Sequence, residues 1–201
     1  WPVQVLLMLL ALVALFVAYR PRPSSTKLVF VILGFFWLWM GIAYHIMFFA
    51  AINPAANFFG AFFILQGALF MFAAWAKSSP GFRFTADVHG LAGALLVLYA
   101  LVVYPILGFL EGRVYMQSPT FGAPCPTTIF TFGLLLWAAG KVPAYLLIVP
   151  FLWSLLGSSA ALSLGIGEDV GLFIAGIGAT ALILLRNRKR AAQPKVAEPA
   201  A

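Results

Sequence analysis

Residues 127–157 read TTIFTFGLLLWAAGKVPAYLLIVPFLWSLLG, and the division of this stretch decides the fold. Its only charge is Lys141, in the sequence Gly140-Lys141-Val142-Pro143. Read as one helix, it is longer than about 30 Å of hydrocarbon requires at 1.5 Å per residue. Read as two, it turns at Lys141 and Pro143. The surrounding charges choose between the two readings. The gap after the first apolar run carries Arg20, Arg22 and Lys27, and the tail carries Arg186, Arg188, Lys189, Arg190 and Lys195. Basic residues beside spans mark the cytosolic face, so an even number of crossings separates these groups. A split at Lys141 supplies six crossings and a merger supplies five.

The apolar runs are then Trp1–Tyr19, Leu28–Ile52, Asn57–Ala76, His89–Leu110, Thr127–Gly140, Val142–Leu164 and Val170–Leu185. The expectation is an all-α, polytopic transmembrane bundle of seven spans. Its N-terminus is outside and its C-terminus cytosolic, with one domain over residues 1–190 and a disordered tail over 191–201. Composition agrees: of 201 residues, 64% are hydrophobic and 8% charged, against about 25% charged in soluble domains. A β-barrel would need alternating strands, which continuous hydrophobicity argues against. The formal charge of +7 does not indicate nucleic acid, because the cations flank apolar runs instead of forming a face. They suit topology and anionic lipid headgroups. One cysteine excludes an internal disulfide. The run Trp1–Tyr19 lacks a basic n-region and a cleavage site, so it reads as a span, not a signal peptide. Starting at Trp1, the chain is expected to be preceded by further residues.

Polar residues inside spans are costly and therefore candidates for function. With this topology they gather at the outer end. Tyr44 and His45 lie in the outer part of span two, Asn57 opens span three and Gln66 lies near its middle. Tyr104 and Pro105 lie in the outer half of span four, followed by Glu111, Arg113 and Tyr115. The loop Pro119–Thr128 leads into span five, with Pro126 suited to the first helical position and Cys125 at or near the N-cap. There the helix dipole favours thiolate, and Thr127 and Thr128 supply hydroxyls. Span five is short, about 21 Å, so the loop is expected to dip into the protein. Asn53 reads as a turn former. Glu168 and Asp169 read as an exposed loop favouring the start of span seven. His89 falls at the opposite end from His45, which argues against a bis-histidine haem. The small-residue pairs Gly90–Ala94, Gly167–Gly171 and Ala175–Ala179 suit close helix contacts. Trp37, Trp39 and Trp75 suit packing or interface anchoring.

Several of these segments carry a resemblance. Tyr44-His45, Asn53-Pro54-Ala55-Ala56, Phe59-Gly60, Leu65-Gln66-Gly67, Tyr104-Pro105 and, most specifically, Pro119–Gly133 resemble an uncharacterised bacterial family of multi-span membrane proteins. The resemblance implies a bacterial inner-membrane location and no activity or cofactor.

Three functions compete. The first is binding or passage of a small solute or ion at an outward site lined by Tyr44, His45, Asn57, Gln66, Tyr104, Glu111, Cys125, Thr127 and Thr128, with Cys125 and His45 as candidate ligands for a soft metal such as Cu(I). The second is an accessory subunit of a membrane complex, with membrane-protein partners or further copies of itself, holding one chlorin or haem through His45. The last is a thiol-dependent membrane enzyme using Cys125. The first is preferred, with the lipid bilayer as its constant partner.

Overall fold

A computed structural model of the chain describes residues 2–20, 22, 24–77, 79–112, 121–164 and 167–192. Arg113, Tyr115, Pro119, Thr120 and tail residues 193–201, all named above, lie outside the described residues. Among the described residues there are seven helices and no β-ladder. They are α1 (Pro2–Tyr19), α2 (Ser25–Ala51), α3 (Ala56–Trp75), α4 (Val88–Leu110), α5 (Pro124–Leu136), α6 (Tyr145–Leu164) and α7 (Gly167–Ala192). Four of them, α2, α3, α4 and α7, are long and apolar enough to cross a membrane.

The stretch 127–157 is indeed divided between two helices, but its boundaries differ from those expected. Helix α5 ends at Leu136 and α6 starts at Tyr145. Helix α7 holds the intervening turn. Asn187 donates from Nδ2 to Val142 O (2.7 Å) and accepts from Val142 N (3.2 Å). Arg186 donates to Leu136 O (2.7 Å) and Leu135 O (3.3 Å), and Arg190 to Gly140 O (2.6 Å). These cations reach carbonyls that a helix end leaves unsatisfied. Helix α7 accordingly runs past the apolar run through Arg186–Arg190, where basic residues complement a helix C-terminus. Ala191 and Ala192, assigned above to the tail, complete it.

Helix α5 is the axis of the bundle. All of its residues except Cys125 are buried, as expected of a helix that is apolar all round. That burial explains its shortness: it packs against neighbouring helices rather than setting the length of the bundle. Trp37 Nε1 donates to Thr131 Oγ1 (3.1 Å), and Trp137 Nε1 to Gly90 O (3.0 Å), tying α2 and α4 to it. The α3–α4 connection is pinned to its end, with Arg83 N donating to Trp137 O (2.8 Å) and Ala139 N to Gly81 O (2.6 Å).

Helices α2 and α3 form a hairpin in which glycines face each other across the contact. A Cβ on Gly41 would meet Gly60 O at 2.9 Å, and a Cβ on Gly67 would meet Gly34 O at 3.0 Å. Gly93 and Gly133 repeat the arrangement between α4 and α5. The pairs predicted above do not make these crossings.

The helices alternate in direction between two ends. Tyr19 meets Phe84 (6.0 Å between ring centroids) and Lys27 sits over Trp75 (4.6 Å), at the end that holds Arg186–Arg190. Asp87 caps α4 there, accepting from Gly90 N (2.9 Å), and this hydrogen bond holds its carboxyl below the usual carboxylate range. At the other end, Leu7 lies against Gly122, and Ser158 donates to Asp169 O (3.3 Å). Apart from Asp87, the acidic side chains among the described residues thus lie at the end opposite the basic ones.

Candidate functional site

Two π-helical stretches build the acidic end. In α2, residues Met40–Phe48 are π-helical, and Phe49 N bonds to Tyr44 O, five residues back. In α4, Tyr99–Val103 is π-helical, and Tyr104 N bonds to Tyr99 O. The second has a visible cause. Pro105 has no N–H to offer Leu101, and its ring crowds the preceding turn; a widened turn relieves both. The consequence is that residues five apart come onto one face. The Tyr99 and Tyr104 rings lie 6.3 Å apart, edge to face. Such bulges concentrate at functional sites.

Both tyrosines converge on the start of α7. Tyr104 OH donates to Asp169 Oδ1 (2.6 Å), and Tyr99 OH to Glu168 O (2.6 Å). Glu168 and Asp169 are only 1% and 4% exposed, which overturns the reading of this pair as an exposed loop. The physical reason is that α4, α5 and α6 close over the start of α7, and their hydroxyls and thiol supply the partners that water would otherwise provide. Cys125 lies beside Asp169, Tyr104 and Trp153, and Tyr44, packed on His45 and Phe49, is close enough to feel the charge of Cys125 and Asp169. Cys125 remains partly exposed. It is the second helical residue of α5, not the cap. Ala123 is the N-cap and Pro124, not Pro126, begins the helix, because Gly122 N donates to Thr127 Oγ1 (3.0 Å) and folds the entering chain back two residues earlier. Gly122 adopts φ 101°, a conformation that favours glycine. Among the described residues, the charge that acts on the thiol is the carboxylate of Asp169.

The structure therefore brings Tyr44, Tyr104 and Cys125 together and adds Asp169, Trp153 and Ser158. Thr128 lies one helical turn from Cys125, fully buried, with no partner for its hydroxyl. Glu111 caps the end of α4 near Gly167. Thr127 and Asn57 hold backbone instead: Thr127 accepts from Gly122, and Asn57 Nδ2 donates to Pro54 O (3.2 Å) on the exposed turn that Asn53 also braces. His45 is fully buried among the rings of Tyr44, Phe49, Phe59, Phe63 and Trp153, and neither ring nitrogen has a partner. Among the described residues, no three of His, Cys, Asp and Glu come together to hold a metal.

A family model described as a family of unknown function, DUF6064, matches residues 1–194. The chain belongs to this family. No curated protein and no solved structure matches it. Membership of DUF6064 brings no activity with it, so function rests on the site itself. Of the segments that carry the resemblance, Tyr44-His45, Tyr104-Pro105 and Cys125–Thr128 all contribute to the acidic end.

Gln66 has a different task. Pro150, inside α6, removes the N–H that would bond Leu146 O. Gln66 Nε2 supplies that bond from α3 (3.1 Å). Gln66→Leu is therefore expected to cost about 1–2 kcal/mol, the range for an orphaned buried carbonyl. In a Pro150→Ala background, where the backbone N–H is restored, the same substitution is expected to cost close to nothing. Thermal unfolding of the four-member cycle measures the coupling.

Proposed function

We propose that this protein is a multi-pass protein of the bacterial inner membrane, crossing it seven times with its N-terminus outside and its C-terminus in the cytosol. At its outward, acidic end it binds or passes a small solute or ion. The reading rests on one observation above the others: Tyr104 of α4 and Cys125 of α5 meet the buried carboxylate of Asp169, and Ser158 of α6 bonds to the backbone carbonyl of the same residue. Placing a carboxylate in such surroundings is costly unless it is paired, and groups drawn from several helices at one depth are the usual make-up of a membrane binding site. The unpartnered hydroxyl of Thr128 adds a polar group with capacity to spare. The segregation of basic and acidic ends supports the orientation.

Flux of a panel of monovalent cations, divalent cations and small amines through proteoliposomes tests the site. For the solute carried, Asp169→Asn and Cys125→Ser are each expected to lower flux at least tenfold. Flux unchanged in both would remove the site. The single cysteine makes orientation a separate measurement. An impermeant maleimide should label Cys125 in intact cells, and labelling only after permeabilisation would reverse the topology.

A further inference from the structure

Outside the Asp169 cluster, the surface between α3 and α6 holds a groove of about 220 Å³. Phe58, Phe59, Phe62, Phe63, Leu152 and Trp153 form most of its wall, and none of its lining residues is charged. Phe58 and Leu152 are exposed at its mouth, so it opens where lipid chains would run. Directly behind three of its rings stands His45, with centroid distances of 4.6 Å to Phe63, 5.3 Å to Trp153 and 6.2 Å to Phe59. A phenylalanine would suit such an aromatic box better. Instead the box holds an imidazole with neither nitrogen bonded, while the Trp153 indole N–H lies beside the Cys125 thiol. Buried polar groups without partners destabilise a fold, and here both imidazole nitrogens stand behind the wall of one apolar groove.

We propose that the groove takes a lipid-soluble molecule of quinone type, a planar carbonyl-bearing ring on a single apolar tail, with a ring oxygen bonding to His45. Four properties select this class. A neutral imidazole offers one N–H and one lone pair, matching a carbonyl or hydroxyl oxygen on a ring. Walls of Phe and Trp favour edge and offset contacts with a flat ring. The volume suits one ring and the first carbons of a tail, since a cavity of about 150 Å³ accommodates benzene. An uncharged wall gives no purchase to the phosphate of a phospholipid. Entry requires the Phe59 and Trp153 rings to part, which opens the groove to His45.

The test uses the full chain in mild detergent, titrated with decyl-1,4-benzoquinone and with decylbenzene, which has the same tail and a ring without oxygens. Saturable binding is expected, at least tenfold tighter for the quinone. His45→Phe should abolish that tenfold preference while melting at the same temperature as the parent or higher, because phenylalanine fills the box without an orphaned nitrogen. Leu152→Trp, at the exposed mouth, should weaken both compounds. Asp169→Asn should leave quinone binding intact, so this assignment and the solute site fail independently. Absence of saturable binding, equal affinity for the two compounds, unchanged quinone affinity in His45→Phe, or a lower melting temperature for that variant would each overturn the proposal.

Discussion

Replacing Gly60 by leucine is expected to prevent stable folding, with a cost of about 3 kcal/mol or more, at or beyond the upper end of the range for overpacking. A Cβ on Gly60 lies 2.7 Å from Ile46 Cγ1 and 3.0 Å from Gly41 O. The first of these neighbours is a side chain that can turn away. The second is backbone, and it retreats only if α2 and α3 separate. Separation would loosen the Gly34–Gly67 contact on the same hairpin and the stacking of Trp37 on Phe63 (4.7 Å). Close approach through small residues is how helices associate where surrounding lipid removes the hydrophobic driving force. Gly178→Leu is the matched control, because nothing lies within 4 Å of its Cβ position; it should unfold at the parent's temperature. Yield of monodisperse protein and thermal unfolding in detergent read both variants. A Gly60→Leu variant as stable as Gly178→Leu would contradict the packing argument.

The second large effect is expected at Arg186. Its guanidinium, 8% exposed, bonds to the carbonyls of Leu135 and Leu136 at the end of α5. Hydrogen bonds to charged groups contribute about 1.5–3 kcal/mol each, and a carbonyl left without a partner adds its own penalty. Part of this is offset, because removing the charge also removes the cost of burying it. Arg186→Leu should therefore cost about 3 kcal/mol. Arg186→Lys should recover less than half of that, since one ammonium cannot reproduce the planar fork. The turn between α5 and α6 should loosen first. Protease cleavage after Lys141 at temperatures where the parent resists would report it, and equal resistance of parent and Arg186→Leu would count against the capping role.

These two sites differ in how far they could be read in advance. The glycines are seven apart on both helices, Gly34 and Gly41 against Gly60 and Gly67, a spacing that returns to the same helix face. A glycine spacing names no partner helix, and the four-residue pairs Gly90–Ala94, Gly167–Gly171 and Ala175–Ala179 are equally regular. Arg186 was read as a mark of the cytosolic face. Its hydrogen bonds to α5 depend on where another helix ends, which no local pattern states.

The candidate site shows the same limit. Tyr44, Tyr104 and Cys125 were identified as polar groups among apolar ones, and the fold places them together. In the sequence Asp169 falls at the same outer end but reads as part of an exposed loop. Its burial comes from α4, α5 and α6, remote in sequence. Trp153 could not be distinguished from other aromatic residues, because what singles it out is the position of its ring between the groove and Cys125. Gln66 became a backbone partner only when α6 brought Pro150 opposite it.

By itself, the sequence determined the helical class, the separation of basic from acidic ends and the break near Lys141, because hydrophobicity and charge act through each residue's own transfer free energy between lipid and water. The tertiary structure alone decided the burial of Asp169 and the enclosure of His45. Those depend on which surfaces meet, and that is a property of pairs of helices, not of any one residue.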